Sequence, residues 1–135
     1  MWRHRWRAAA LAVLVLAAAG CDESPTEVEG IATYAIEVSG ERFLVRVAVD
    51  AQVEAFDARL AAGGHTVING PLVAGDGGFN QPWSWHLDPD EVHVADLSIE
   101  LCDGRPSLIE ADLPYWFDSV KQFCPWGARI VERVD

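Results

Sequence analysis

The chain has 135 residues, of which half are hydrophobic, and it carries a formal net charge of −11. This length fits a single domain with a modest core. Proteins bind nucleic acids and anionic lipid headgroups with a surplus of Lys and Arg, and this chain has the opposite balance. We therefore expect no nucleic-acid partner.

The first twenty residues have the layout of an export signal. Met1–Arg7 contains Arg3, Arg5 and Arg7 with no acid, Ala8–Ala19 is an unbroken apolar stretch, and Gly20 leads into Cys21. This layout is typical of a bacterial lipoprotein signal peptide, which predicts cleavage before Cys21 and a covalent lipid on its thiol. The stretch is shorter than the roughly 20 residues of a membrane-spanning helix. An ordinary secretory signal and an uncleaved anchor are the alternatives.

This interpretation sets the location and the cysteine chemistry of the mature chain. We expect residues 21–135 to lie outside the cytoplasm, lipid-anchored to a bacterial membrane that faces the periplasm or the cell surface. Removing three of the ten basic residues while all 21 acids remain gives a mature charge of −14. Cys102 and Cys124 are predicted to form a disulfide, since the compartment is oxidising, and two buried free thiols are the alternative.

The first half of the mature chain predicts a tether, a hairpin and a helix. Residues 21–30 are acidic without apolar periodicity and predict a flexible tether, followed by one domain over residues 31–135. Ile31–Val38 and Arg42–Val49 are rich in β-branched residues and predict a hairpin. A helix capped by Asp50 should follow, ending at Gly63 and Gly64.

The middle of the chain predicts a strand, a loop and a second hairpin. Thr66–Val73 favours a strand, and the glycine-rich Ala74–Asn80 lacks the acids of an EF-hand and the Lys-Ser/Thr ending of a phosphate loop. Trp83, Trp85 and Leu87 alternate with polar residues, as in a strand with one buried face. A turn at Asp88–Glu91 should reverse the chain.

This second hairpin carries a metal hypothesis. In the predicted register His86 lies opposite His93, so the two imidazoles share one face and bind a single transition-metal ion such as zinc, with Asp88 or Asp90 as an oxygen ligand. However, Leu97, Ile99 and Leu101 alternate in the same parity as His93, whereas Val92 and Val94 alternate in the other. The strand then needs a bulge near residues 95–96, or His93 points into the core, and histidines satisfied by local hydrogen bonds are the alternative.

The last third predicts a second helix and a closing strand. Ser107 and Glu110 have capping-box spacing before an apolar helical stripe, and Pro114 predicts a kink or two short helices. Ala128–Val134 should form a terminal strand. The predicted fold class is α+β, with a mostly antiparallel sheet of about five or six strands and two helices in the order β-β-α-β-β-β-α-β.

Two roles are open to the tryptophans of the mature chain, recognition of a ligand and packing in the core. Trp83, Trp85, Trp116 and Trp126 can line a recognition groove or pack in the core, and core packing is favoured. Trp83 lies beside the glycine-rich loop and is the best candidate for an exposed contact. With Asp76 and Asn80 it forms a candidate recognition surface.

Two unusual runs resemble a known domain family. They are Trp-Ser-Trp-His-Leu-Asp-Pro at Trp83–Pro89 and Cys-Asp-Gly-Arg-Pro-Ser at Cys102–Ser107, accompanied by the Gly75–Gln81 loop and by Val92, Asp96, Glu100 and Glu110. The chain resembles, from about Ala32 to Val134, a domain family of the slime-mould calmodulin-binding protein and of small bacterial exported lipoproteins. The resemblance assigns no catalytic residue. Calmodulin targets are basic amphipathic helices, and neither predicted helix is basic, so calmodulin is not expected as a partner.

The function predicted from the sequence is binding without catalysis. The chain has no Gly-x-Ser-x-Gly, His-Glu-x-x-His or phosphate-loop motif, and the pairing of Cys102 with Cys124 leaves no reactive thiol. We expect no cofactor apart from the lipid, and a protein or glycan of the cell envelope as the partner. A metal-binding lipoprotein that uses His86 and His93 is the alternative, and a hydrolase comes third.

Overall fold

The computed structural model describes residues 31–135. The predicted leader, Cys21 and the tether lie outside the described residues. The strands are β1 (Ala32–Val38), β2 (Glu41–Val47), β3 (Val67–Ala74), β4 (Trp85–Leu87), β5 (His93–Ala95), β6 (Gln122–Phe123) and β7 (Arg129–Arg133). The helices are α1 (Asp50–Ala62), α2 (Pro106–Ala111) and α3 (Leu113–Tyr115), with a 3-10 turn at Glu100–Cys102 and a π turn at Trp116–Val120.

The first sheet has three antiparallel strands in the order β2-β1-β7. A two-residue turn joins β1 to β2, and its residues Ser39 and Gly40 both have positive φ angles, 53° and 76°. Such turns match the twist of paired strands, so the hairpin predicted from the sequence is confirmed. Strand β1 is the central strand and is almost entirely buried.

Helix α1 packs on this sheet through one buried aromatic ring. The ring of Phe56 lies 5.0 Å from that of Tyr34, whose hydroxyl donates to Asp57 at 2.7 Å. The helix ends at Gly63, as predicted, with a φ of 69°. The prediction that Asp50 caps the helix is wrong: Val49 is the N-cap, and Asp50 lies in the first turn, where its charge favours the positive end of the helix dipole.

The second sheet is built around β3. Strands β4 and β5 pair with its two ends, Leu72–Ala74 and Val67–Asn69 respectively. They lie one after the other along the same edge, since the Asp88 amide donates to Pro71 between them at 3.0 Å. The opposite edge pairs with β6, and there the Leu72 amide donates to Lys121 at 2.9 Å.

Aromatic side chains join the two sheets into one core. The rings of Phe43, Trp85 and Phe123 lie 5.5 Å from one another, and they come from β2, β4 and β6. All three are buried. Trp116 adds an edge-to-face contact with Phe123 at 6.1 Å, so this cluster holds both sheets and the second helical region together.

The second helical region is broken beside Pro114, as predicted. Helix α2 ends at Ala111, and Asp112 leaves helical geometry at φ −148° and ψ 65° before α3 begins. The predicted capping box is wrong, because Pro106 takes the first helical position and shifts the start of the helix. The Ser107 amide and hydroxyl instead donate to the carboxylate of Glu41, each at 2.8 Å.

The α+β class, the antiparallel pairing and the disulfide are confirmed. The strands form two sheets instead of one, and the two-residue β6 was not predicted. The predicted continuation of β5 through Leu97, Ile99 and Leu101 is wrong, since these residues lie beyond the last pair of the ladder, Val67 with Ala95. Among residues 31–135, no helix is both long and apolar enough to cross the bilayer.

Candidate functional site

The predicted pairing of His86 with His93 is wrong. His86 lies opposite Val73 and His93 lies opposite Asn69, on the same edge of β3. Four residues along a strand correspond to about 13 Å. The chain therefore leaves the edge of β3 at residues 88–92 and then returns to the same edge. This arrangement explains the side-chain parity without a bulge at residues 95–96 and without a histidine in the core.

Both histidines contact nearby backbone. His86 Nδ1 lies 2.7 Å from the Gly75 carbonyl oxygen, and His93 Nδ1 lies 3.0 Å from that of Glu91. Asp88, the predicted oxygen ligand, accepts from the Asp90 amide at 2.9 Å and stabilises the turn. Within residues 31–135, no three His, Cys, Asp or Glu side chains are grouped to hold a metal ion.

The predicted recognition residue Asn80 is structural. Its side chain is fully buried, where Oδ1 accepts from the Leu44 amide and Nδ2 donates to the Trp85 carbonyl, both at 2.7 Å. It therefore bridges the exposed edge of β2 to β4 and joins the two sheets. A residue with both polar ends engaged in this way is not available to a partner, so its assignment to a recognition surface is wrong.

Trp83 and Asp76 also serve the fold around this bridge. The Trp83 indole is half-buried and donates to the Arg42 carbonyl at 2.9 Å, which satisfies a second acceptor on the β2 edge. Asp76 accepts from the Gly78 amide at 2.8 Å, and this hydrogen bond lowers the pKa of its carboxyl below the usual value. Side chains thus cover an edge strand that is otherwise open to intermolecular pairing.

Other residues of the two unusual runs have the same role. Glu110 accepts from the amide and hydroxyl of Ser84, at 2.9 and 2.7 Å, and so ties α2 to the start of β4. Asp103 accepts from the Trp126 amide at 2.8 Å. These polar residues therefore stabilise the contacts between elements of the fold.

The disulfide predicted from the cysteine count is present. Cys102 and Cys124 are buried, with their Cα atoms 5.1 Å apart, and the Cys124 amide donates to the Cys102 carbonyl at 2.8 Å. This bond fixes the segment before Cys102 to the segment that leads to Trp126. Both segments are thereby held in place on the surface of the second sheet.

Four exposed apolar side chains belong to the two segments that this disulfide joins. Leu97 is 87% exposed, Ile99 62%, Leu101 59% and Trp126 43%. We call these four residues the apolar patch. Sequence reasoning placed the three aliphatic residues in a strand and favoured a core position for Trp126, whereas Trp83 was expected to be the exposed indole.

Leu97 and Trp126 line a small groove within this patch. The groove has a volume of about 220 Å³, and its other walls are Val67, Asp96 and Ser98. Ser98 accepts from the Asn69 side chain at 3.2 Å, which anchors this wall to β3. Small-molecule sites generally have about 300 Å³ or more, so this groove matches a side chain better than a cofactor.

The segment that carries the aliphatic residues of the apolar patch is acidic. The segment 90–104 contains Asp90, Glu91, Asp96, Glu100 and Asp103 and has neither Lys nor Arg. Asp96 Oδ1 accepts from Arg59 at 2.7 Å, while its side chain remains 84% exposed. The surface thus combines apolar area with negative charge.

A protein-family model matches residues 30–135, and it describes the N-terminal domain of the Dictyostelium calmodulin-binding protein. No curated protein and no solved structure has significant similarity to the chain. The matched region begins one residue before the described part and covers all of it.

Proposed function

Since the chain belongs to the family of the N-terminal domain of the Dictyostelium calmodulin-binding protein, we propose that this fold serves here as a lipid-anchored, extracytoplasmic interaction domain of the bacterial cell envelope. It binds a partner protein through the apolar patch and catalyses no reaction. The observation that carries this proposal is the exposure of three apolar side chains at alternate positions of the segment that leads to the disulfide, Leu97, Ile99 and Leu101.

The anchor and the tether place the domain close to a membrane. Cys21 carries the lipid, and nine residues separate it from Ile31, where the described structure begins. A fully extended tether of this length reaches about 30 Å. The domain therefore meets partners that are themselves at the membrane or within one domain diameter of it.

A fixed apolar surface supports binding more strongly than scattered apolar residues do. Contiguous exposed apolar area is unusual on monomeric proteins and marks interaction sites. Here the disulfide and the hydrogen bonds from Asn69 to Ser98 and from Trp126 to Asp103 hold the surface in one shape. The surface then loses less conformational entropy on binding, which favours affinity.

The hydrogen bonding of the reactive residue types supports a role without catalysis. His86 and His93 contact backbone carbonyls, Glu110 is bonded to Ser84, and Glu41 is bonded to Ser107. Each of these carboxylates and imidazoles is thus engaged in a contact within the fold. A glycan is a weaker candidate partner, since the patch offers one aromatic ring and three aliphatic side chains.

The proposal is tested by photo-crosslinking in the producing bacterium. The whole chain is expressed with p-benzoylphenylalanine at position 97, and a second version carries the photoreactive residue at Val49. Val49 is 40% exposed and precedes Arg59 by ten residues on α1, which is about 15 Å. We expect a discrete protein adduct from position 97 and none from position 49.

The anchor is tested in the same cells by replacing Cys21 with Ala. The expected result is loss of metabolic labelling by an alkyne fatty acid and release of the protein from the membrane fraction. Equal adduct patterns from positions 97 and 49 would refute the interaction surface. Unchanged lipid labelling of the Cys21→Ala variant would refute the anchor independently.

A further inference from the structure

The groove of the apolar patch has two chemically different parts. Val67 and Leu97 provide aliphatic walls, Trp126 provides an aromatic ring, and Asp96 stands at the rim with its side chain 84% exposed. A side chain that fits all three has an apolar stem and a cationic end. Lys and Arg have this construction, because their methylene groups pack on apolar surface while the charge remains in water.

We propose that this groove binds an arginine or lysine side chain of the partner protein, an inference that rests on the proposed function of the apolar patch. The stem of the bound residue packs against Leu97 and Val67. Its charged group lies near the Trp126 ring, where a cation is attracted by the π electrons, and it donates to Asp96.

Asp96 is able to accept this second partner although it already accepts from Arg59. That bond uses Oδ1 at 2.7 Å, and an ionised carboxylate has about four lone-pair sites on its two oxygens. Arg59 offsets part of the charge of Asp96. The remaining acids of the segment, of which Glu100 and Glu91 are the nearest in sequence, keep the surroundings negative.

Charge also separates this occupant from two others that an apolar surface can attract. A second copy of this chain presents the same acidic segment, so like charges would oppose the contact. An anionic lipid surface is repelled for the same reason. A basic segment of a partner is the occupant that gains both from burying apolar area and from the acidic rim.

The test uses the whole chain purified from the bacterial membrane in phosphatidylcholine nanodiscs, with fluorotryptophan in place of tryptophan. Fluorine NMR then reports the environment of Trp126, whose signal is assigned from its loss in Trp126→Phe. The first probe is the acetylated and amidated peptide Leu-Arg-Leu-Arg-Leu. Two matched peptides carry citrulline, which is neutral and nearly isosteric, or glutamate in place of arginine.

We expect the arginine peptide to shift the Trp126 signal and to leave the Trp85 signal unchanged, since Trp85 is buried in the core. The citrulline peptide should bind at least about fivefold more weakly. Asp96→Asn should weaken the arginine peptide about threefold, and Glu54→Gln, which alters an exposed carboxylate of α1, should leave it unchanged.

Equal binding of the arginine and citrulline peptides, or no Trp126 shift at millimolar peptide, overturns the inference. A shift caused by phosphatidylglycerol nanodiscs alone, or by raising the protein concentration without peptide, also overturns it in favour of a lipid or a second copy. The proposed function survives any of these results if the position-97 adduct forms. The proposed function alone is refuted if the position-97 adduct is absent although the arginine peptide binds as expected.

Discussion

Two segments of similar pattern have opposite orientations in this molecule. Trp83–Leu87 and Leu97–Leu101 both alternate large apolar residues with polar ones, and both resemble half-buried strands in the sequence. In the first segment, Trp85 and Leu87 are completely buried, whereas in the second all three apolar residues are more than half exposed. The same pattern therefore produces core in one segment and surface in the other.

The difference arises from the length of the neighbouring strand. Trp85–Leu87 lies within the ladder of β3, so its inward face meets the core. The ladder of β5 ends where Ala95 pairs with Val67, the first residue of β3. Leu97, Ile99 and Leu101 lie beyond this last pair, and their side chains remain exposed. Alternation thus produces a half-buried strand only where a partner strand continues beside it, and Leu101 instead lies in the 3-10 turn Glu100–Cys102.

The largest expected effect comes from the same substitution made in both segments. Leu87→Ala removes a fully buried side chain and should lower the free energy of unfolding by about 3 kcal/mol. Leu97→Ala removes a side chain that is 87% exposed and should change it by less than about 0.5 kcal/mol. Urea unfolding of both variants checks this, and equal losses would show that Leu97 belongs to the core.

The next effect concerns the bond that holds the outward-facing segment. Replacing Cys102 and Cys124 together by Ser should cost about 3 kcal/mol, since the bridge closes a loop with a sequence separation of 22 residues. Thermal unfolding of the variant, with reduced wild-type protein as the matched control, measures this loss. Identical midpoints for oxidised and reduced wild type would contradict it.

A smaller loss of stability is expected from replacing Asn80, which is bonded to Trp85 of the buried segment, than from the changes above. Asn69, which is bonded to Ser98 of the exposed segment, is the matched comparison. Asn80→Ala should cost about 2 kcal/mol, because it leaves the Leu44 amide and the Trp85 carbonyl unpaired in a buried site. Asn69 makes one bond of 3.2 Å to Ser98 in a partly buried site, so Asn69→Ala should cost less than about 1 kcal/mol. Chemical denaturation of both variants ranks them, and the reverse order would contradict the structural role of Asn80.

The smallest effect is a pH dependence in the loop before Trp83. The Gly78 amide lowers the pKa of Asp76 in the folded protein, so the carboxylate stabilises the fold above the unfolded value of about 4. This contribution disappears as the pH falls through the folded pKa. The stability of Asp76→Asn should therefore decline less than that of wild type between about pH 5 and pH 2, as followed by thermal unfolding. Parallel curves would contradict the shift.

Local features of the fold were predictable from the sequence because they depend on neighbouring residues. The β1–β2 turn, the end of α1 at Gly63 and the break near Pro114 follow from the backbone preferences of glycine and proline. The disulfide followed from the cysteine count. The division into two sheets depends on pairings between distant strands, and alternation alone does not determine such pairings.

The candidate site was less predictable for the same reason. Its groove brings together Val67, Asp96 and Trp126, which are far apart in the sequence. The predicted sites, around His86 with His93 and around Trp83 with Asn80, relied on proximity in sequence and on an assumed hairpin register. Leu97, Ile99 and Leu101 did carry a usable signal, since their parity conflicted with that of Val92 and Val94.

The central claim is that the apolar patch exists for contact with a partner and contributes little to folding. The most direct measurement is the yield of the position-97 photo-adduct in an Ile99→Ser background, with the unfolding midpoint of that variant as the check on the fold. Ile99 is 62% exposed, so we predict an adduct reduced at least about fivefold at an unchanged midpoint. An undiminished adduct, or a midpoint that falls as far as that of Leu87→Ala, would contradict the claim.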